Sequence, residues 1–175
     1  MDANRSRVRI YVYLMKQDDP RKCTSSKLVR HNLAKVIRSI SQIPRRSIVL
    51  NPLSKKTLLP SDREHFLHGG LVAIDCSWNK ANEVLKSNYP GLNRRLPLLL
   101  AGNPVSYAKL ERLSSAEALA ASLIITGFND QCREVLDLFK WGRTFFTLNQ
   151  SPLEDYSRAK DMKELIEIEM SYFGS

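Results

Sequence analysis

The sequence predicts an α/β fold in which a mostly parallel sheet is flanked by helices and followed by a helical C-terminal part. In the first half of the chain, short apolar runs alternate with helical segments. These runs are apolar at nearly every position, which is typical of strands buried on both faces of a parallel sheet. After residue 101 no convincing strand remains. We therefore expect a basic α/β domain over residues 1–95 and a mainly helical domain over residues 96–175.

The predicted strands are runs rich in leucine, β-branched or aromatic residues. They cover residues 8–15, 47–50, 71–76 and 96–100. The predicted helices begin at residues that cap free backbone N–H groups. In the first half these helices cover residues 24–40, 61–69 and 80–87. In the second half, capping boxes at 114–117 and 151–154 and an Asn cap at residue 129 each open a helix.

The distribution of charge also changes near residue 95, where we expect the domain boundary. Residues 1–95 carry 19 Lys and Arg against 7 Asp and Glu, whereas residues 96–175 carry 8 against 11. The net charge of +9 therefore belongs to the first half, where Arg45-Arg46, Lys55-Lys56 and Arg94-Arg95 form basic doublets. Such a field attracts polyphosphate, and nucleic acid is the commonest partner of this kind. A solvated basic surface without a partner is the alternative.

Several classes of protein are disfavoured by the sequence. No apolar stretch approaches the roughly 20 residues that cross a bilayer, and no signal-peptide pattern opens the chain, so we expect a cytoplasmic protein without a membrane partner. Three widely spaced cysteines indicate reduced thiols. His65 and His68 lack a third ligand nearby, so we expect no metal. Nucleotide-cradling glycine loops and a hydrolase nucleophile elbow are absent from the sequence.

Irregular segments at the ends of the predicted strands are the candidates for a binding site, because ligands bind beyond the carboxyl ends of parallel strands. Asp75 ends an apolar strand and stands close before Trp78, a place where a carboxylate is costly to bury and useful in a cleft. Capping of the next helix by Asp75 and core packing of Trp78 are the alternatives. Thr24 and Ser115 begin helices whose free N–H groups favour carboxylate or hydroxyl-rich ligands, although ordinary capping also explains them.

Six motifs in order resemble the small-subunit ribosomal RNA aminocarboxypropyltransferases, which act in ribosome biogenesis in archaea and eukaryotes. They are DDPRKCT (18–24), LNP (50–52), DCSW (75–78), RRLPLLLAGNPVSY (94–107), LSSAEALAASL (113–123) and FKWGRTFFTLN (139–149). The resemblance covers about residues 8–150. It implies a fold similar to the SPOUT RNA methyltransferases, with a C-terminal trefoil knot. It also implies S-adenosylmethionine as the donor of a 3-amino-3-carboxypropyl group, without a metal.

By this resemblance, the segment that contains Ala101 and Gly102 threads the knot and holds the adenosine. One departure stands out: relatives often carry a glycine where this chain has Ala108, and an aromatic residue where it has Glu111. Asp75 is the candidate general base. The donor contacts implied are Thr24, Ile74, Leu96, Glu111 and Ser115, with Leu50, Pro52 and Trp78 packing on the adenine and the donor chain.

The implied acceptor is N3 of a uridine or (N1-methyl)pseudouridine in a hairpin loop of small-subunit rRNA, with 5′-methylthioadenosine as the by-product. A monomer is expected from the same resemblance. Two alternatives stay open at this point. The first is an RNA methyltransferase of the same fold, which would release S-adenosylhomocysteine. The second is a non-catalytic rRNA-binding assembly factor that keeps the pocket as a relic.

Overall fold

A five-stranded, fully parallel sheet forms the centre of the molecule. The computed structural model describes residues 7–15, 23–76, 83, 85 and 88–174. The strand order is β2-β1-β4-β3-β5, so neighbouring strands are joined by crossovers rather than by hairpins. The prediction of a parallel sheet flanked by helices is confirmed. The strands are β1 (Ile10–Leu14), β2 (Lys35–Ile37), β3 (Ile48–Leu50), β4 (Leu71–Asp75) and β5 (Leu92–Arg94).

Successive residues of the central strands enter two different cores. In β4, Leu71 and Ala73 belong to a large core on one face, whereas Val72 belongs to a smaller one on the other. In β3, Ile48 and Val49 divide in the same way. Because side chains alternate across a strand, a sheet covered on both faces needs apolar residues at every position.

Six α-helices surround the sheet in the described part of the chain, and most follow the last strand. The helices are α1 (Thr24–Arg30), α2 (Arg63–Gly69), α3 (Ser115–Ile125), α4 (Asn129–Asp137), α5 (Gly142–Tyr156) and α6 (Met162–Phe173). The helix α3 packs against β4, α1 and the two helices that follow it, and it is buried nearly all round. Two single 3-10 turns at Ile40–Gln42 and Pro60–Asp62 join the elements of the first half.

The first predicted helix is much shorter than expected, and the strand β2 was missed. The helix α1 ends at Arg30 because Asn32 adopts a left-handed backbone conformation, with φ 59°. The Asn32 and Leu33 N–H groups donate back to the carbonyls of Val29 and Leu28, which is a Schellman arrangement. Residues 35–37 then run parallel to β1 as the edge strand of the sheet. Asn32 was the available signal for this stop.

The prediction of a strand at residues 96–100 is wrong. The chain leaves the sheet after β5, an edge strand that was not predicted, and side chains instead of a neighbouring strand bind the backbone of Leu98 and Leu100. Asn149 accepts from the Leu100 N–H and donates to its carbonyl, both at 2.8 Å. The Leu98 N–H donates to Glu169 at 2.9 Å, and the Tyr156 hydroxyl donates to the Leu98 carbonyl at 3.1 Å. These buried polar residues satisfy backbone groups that would otherwise be unpaired.

Three helix starts also differ from expectation. The helix α5 runs through Pro152 without a new start at Ser151. The helix α2 begins after a 3-10 turn whose Asp62 carboxylate accepts from the Leu59 N–H, so Ser61 is not its cap. Phe128, not Asn129, is the cap residue of α4. The capping box at residues 114–117 is confirmed, and the predicted helix over 80–87 lies largely outside the described residues. The domain boundary at residue 95 stays a prediction.

Candidate active site

A pocket of about 520 Å³ opens where the carboxyl ends of β3, β4 and β5 meet the first turns of α1 and α3. This volume lies within the range of about 300–1,000 Å³ that small-molecule sites span. Its wall combines apolar side chains, such as Leu50, Leu96 and Leu99, with the Asp75 carboxylate and hydroxyl groups of α3. The position follows the general rule for parallel α/β sheets, in which the strand ends carry the ligand.

The residues predicted as a site from the sequence come together in this pocket, although they are up to 91 positions apart along the chain. Trp78 lies outside the described residues. Asn103, Ser106, Arg112 and Trp141 also line the wall but were not predicted as site residues. The predicted residues in the wall are Thr24, Leu50, Pro52, Ile74, Asp75, Leu96, Glu111 and Ser115.

The Asp75 carboxylate is held from two sides. The Cys23 thiol donates to its Oδ2 at 2.6 Å, and the Ser115 hydroxyl donates to its Oδ1 at 3.4 Å. Burial and, after it, the hydrogen bond to Asp75 raise the pKa of the Cys23 thiol, so the thiol stays protonated and remains a donor at neutral pH. Sequence reasoning did not connect Cys23 with Asp75, because 52 residues separate them.

Glu117 has a structural role that the sequence pattern predicts only in part. Its fully buried carboxylate accepts four hydrogen bonds. Oε1 accepts from the Gly102 N–H at 2.7 Å and the Asn103 N–H at 3.0 Å. Oε2 accepts from Asn103 Nδ2 and the Ser114 N–H, both at 2.7 Å. A capping box predicts only the last of these bonds, whereas the others fasten the loop after residue 101 to the first turn of α3.

Gly102 lies where this loop passes directly against α5. A Cβ atom on Gly102 would lie 2.5 Å from both the Cα and the N of Phe145, which real side chains do not tolerate. The small residue is therefore required by backbone proximity. Glu117 on one side and α5 on the other fix this part of the pocket wall.

Ala108 and Glu111 both adopt left-handed backbone conformations, with φ of 59° and 58°. The Glu111 N–H donates to the Leu99 carbonyl at 3.3 Å, and Glu111 is exposed while it lines the pocket. Alanine has no polar side chain to support this conformation, which costs a residue other than glycine about 1–2 kcal/mol. The chain therefore carries strain at Ala108, the position where the family resemblance implies a glycine.

We expect Ala108→Gly to raise the free energy of unfolding by about 1 kcal/mol, because glycine adopts this conformation without a steric cost. Urea unfolding of the two proteins measures the difference. Asn32→Gly is the matched control, since Asn32 has the same φ of 59° but belongs to a type that tolerates it, and we expect a smaller gain. A loss of stability in Ala108→Gly would contradict the interpretation.

The doublet Arg94-Arg95 is part of the internal structure rather than of an open basic surface. Arg94 binds both carboxylate oxygens of Asp62 at 3.1 Å, and both side chains are largely buried. Arg95 pairs with Glu169 at 3.3 Å. These two cations line the pocket, but their charge is balanced by neighbouring carboxylates. Other cations must therefore provide most of any attraction for nucleic acid.

Neither a metal-binding group nor a membrane span is found in the described segments. No cluster of three or more His, Cys, Asp and Glu side chains there could hold a metal ion. The exposed His68 ring bonds the Glu64 carbonyl of its own helix. Among the helices that the structure describes, none combines the length and apolar character needed to cross a bilayer.

Two family models match the chain. Residues 48–173 match the model "Ribosome biogenesis protein, C-terminal", which covers more than half of the sequence. Residues 8–40 match "Possible Fer4-like domain in RNase L inhibitor, RLI". Iron–sulfur clusters of this kind are held by four cysteine thiolates. This segment contains one cysteine, Cys23, so its residues do not fit a cluster.

Curated relatives extend the match over nearly the full chain. The 16S rRNA aminocarboxypropyltransferase of Methanosarcina mazei is 40% identical over 98% of this chain and 99% of its own length. The enzyme of the same name from Methanothermobacter thermautotrophicus is 42% identical over 95% of this chain and 99% of its own length. The enzyme from Vulcanisaeta distributa is 48% identical over 85% of this chain and 82% of its own length. The chain belongs to the 16S rRNA aminocarboxypropyltransferase family.

A solved structure of this family has the same fold. It is described as the SAM-dependent rRNA:acp-transferase Tsr3 from Vulcanisaeta distributa. The two structures share a TM-score of 0.84 and 40% sequence identity, over 96% of this chain and 99% of the other. The family membership inferred from six sequence motifs is thereby confirmed.

Proposed function

We propose that this chain transfers the 3-amino-3-carboxypropyl group of S-adenosylmethionine to N3 of a uridine or pseudouridine in small-subunit rRNA during ribosome biogenesis. The observation that carries the proposal is the pocket itself. It brings a carboxylate together with the predicted donor-contact residues other than Trp78, at the strand ends of a family fold. We further propose that the protein works in the cytoplasm as a monomer on a hairpin loop of the rRNA.

The pocket residues suit this donor. Leu50, Ile74 and Leu96 offer apolar surface for the adenine, with Pro52 and Trp78 assigned to the same packing. Thr24, Glu111 and Ser115 offer polar groups for the ribose and the amino acid. The donor supplies a sulfonium centre, so that an attacking nitrogen forms a C–N bond as the C–S bond breaks and its electron pair stays on sulfur. Release of 5′-methylthioadenosine follows from that exchange.

Asp75 is the residue we assign to proton removal. The N3 nitrogen of a uridine carries a proton that must leave as the new bond forms, and a positioned carboxylate can accept it. The two donors, Cys23 and Ser115, fix the orientation of this carboxylate. Which sulfonium carbon reacts depends on which one the pocket leaves open toward the RNA. We propose that the wall buries the methyl group and leaves the aminocarboxypropyl arm exposed.

We also propose the trefoil knot that the resemblance implies. Its support is the passage of residues 96–102 away from the sheet, bound by Asn149 and Tyr156 of α5 and by Glu169 of α6. Gly102 allows the backbone to touch α5 at Phe145. A chain threaded in this way would make contacts of this kind with the helices that follow it. Tracing an experimental structure of this chain tests it.

Identification of the product tests the function. The purified protein is incubated with S-adenosylmethionine and small-subunit rRNA from a host that lacks the gene, and the small molecules are analysed by mass. We expect 5′-methylthioadenosine in amounts that depend on the rRNA. S-adenosylhomocysteine would instead support a methyltransferase. If the protein binds rRNA but forms neither product, the result would support a non-catalytic assembly factor.

Cys23 provides a second test through the hydrogen bond that it donates to Asp75. We expect Cys23→Ala to lower kcat at least about tenfold, because a hydrogen bond to a charged group contributes about 1.5–3 kcal/mol and about 1.4 kcal/mol is a factor of ten. The KM for S-adenosylmethionine should stay close to that of the parent protein. Cys23→Ser is the matched control, since its hydroxyl is also a donor, and it should recover most of the turnover. Equal losses in both variants would contradict a positioning role.

A further inference from the structure

An unusually apolar loop stands at the mouth of the pocket. We call residues 104–110 the rim loop. Val105 is 89% exposed, Tyr107 57% and Leu110 41%, all within six positions of the chain. Pro104 and Val105 also line the pocket, so the loop borders its opening. Isolated exposed apolar residues are ordinary, but several in one short segment indicate a contact surface.

The rim loop is held in place at its base. The Ala101 N–H donates to the Lys109 carbonyl at 2.9 Å, and the Ala108 N–H donates to the Ala101 carbonyl at 2.7 Å. The Asn103 side chain accepts from the Ser106 N–H at 3.0 Å while Glu117 holds Asn103. A loop ordered in advance loses little conformational entropy when it binds. Its apolar side chains are therefore presented in a fixed arrangement.

Charge at the pocket mouth favours one class of partner. Lys109 and Arg112 are exposed on the same segment as Tyr107. Directly after Pro52, which lines the pocket, Leu53 is 50% exposed and is followed by the exposed Lys55 and Lys56. Aromatic and aliphatic side chains interleaved with cations are typical of surfaces that bind single-stranded nucleic acid. The net charge of +9 agrees with a polyanionic partner.

We propose that the rim loop is a stacking platform for an unpaired RNA base next to the acceptor nucleotide. Tyr107 carries the stacked base, Val105 packs at its edge, and Lys109 contacts the adjoining phosphate. This inference rests on the proposed function, because an acceptor base can enter the pocket only if its neighbours cross the rim. Bases in a hairpin loop are already unstacked, so their faces are available.

Binding to a defined RNA tests the platform. The probe is a hairpin whose loop holds a uridine beside a fluorescent purine analogue, and a fully paired duplex of the same length is the control RNA. We expect Tyr107→Ala to weaken hairpin binding about tenfold, because stacking on an aromatic side chain contributes about 1–3 kcal/mol per base. Tyr107→Phe should bind within about twofold of the parent protein, since its ring still stacks.

The controls separate stacking from charge and from folding. Tyr172→Ala removes another exposed tyrosine, which lies on α6 rather than on the rim loop, and should leave hairpin affinity unchanged. Lys109→Ala should reduce the slope of log affinity against log salt by about 1, whereas Tyr107→Ala should not change that slope. Binding of S-adenosylmethionine, measured by calorimetry, reports whether each variant is folded.

Three results would overturn the platform. They are parent-like hairpin affinity in Tyr107→Ala, equal weakening for the hairpin and the duplex, and a change of the protein from dimer to monomer in that variant. The last result would show that a second copy of the chain covers the loop. Failure of the proposed function is recognised separately by product analysis of the parent protein. Release of S-adenosylhomocysteine would refute the transfer reaction while leaving the stacking test valid.

Discussion

Asp75→Asn should abolish most of the transfer reaction while leaving donor binding nearly intact. Asparagine has almost the same shape, and its carbonyl oxygen can still accept from Cys23 or Ser115, but it cannot take up the proton of the acceptor nitrogen. General base catalysis typically contributes about 10²–10⁴-fold, so we expect kcat to fall by that factor. Release of 5′-methylthioadenosine at saturating donor and rRNA measures it, and calorimetry measures donor affinity.

The same substitution decides between two interpretations of Asp75. If Asp75 only caps the following helix, an asparagine at this position would cap it equally well, and turnover should remain close to that of the parent protein. Asp130→Asn is the matched control, because the Asp130 side chain is 96% exposed and lies outside the pocket wall. Parent-like kcat in Asp75→Asn would remove the general base from the mechanism.

Glu117→Gln should destabilise the protein by about 3 kcal/mol and weaken donor binding at least tenfold. Each carboxylate oxygen of Glu117 accepts two hydrogen bonds. In a glutamine, one of these oxygens is replaced by an NH₂ group, which would face two N–H donors instead of accepting from them. Each bond to a charged group contributes about 1.5–3 kcal/mol, and buried donors left unpaired add to the loss. Urea unfolding measures the stability, and calorimetry with S-adenosylmethionine measures the site.

Glu154→Gln is the matched control for this effect. Glu154, in the last turn of α5, pairs with Arg158 just beyond the end of the helix, and both side chains are well exposed, so the change should cost less than about 0.5 kcal/mol. If the free energy of unfolding of Glu117→Gln lies within about 1 kcal/mol of that of the parent protein, the four hydrogen bonds do not hold the loop as described. A loss of stability without a loss of donor affinity would separate the loop from the binding site.

Two of the wrong predictions share a physical cause. The run at residues 96–100 has the composition of a buried strand, but only Pro97 and Leu99 in it are fully buried. Side chains about 50 to 70 positions later in the chain accept from its Leu98 and Leu100 N–H groups. Local composition reports that a segment is buried and not which groups satisfy its backbone. The predicted helix start at Ser151 is wrong for a similar reason. A proline usually marks the first turn of a helix, but here tertiary packing overrides that local preference and Pro152 lies inside α5.

The sequence by itself determined the fold class, the strands β1, β3 and β4, the capping box of α3 and the membership of the family. These features depend on local patterning and on motifs, which are visible one segment at a time. Only the tertiary structure decided that Cys23 bonds Asp75, that Glu117 joins the loop to α3, and that Tyr107 stands exposed on the loop that borders the pocket. Each of these depends on the relative placement of segments distant in sequence or on solvent exposure, which are set by the folding of the whole chain.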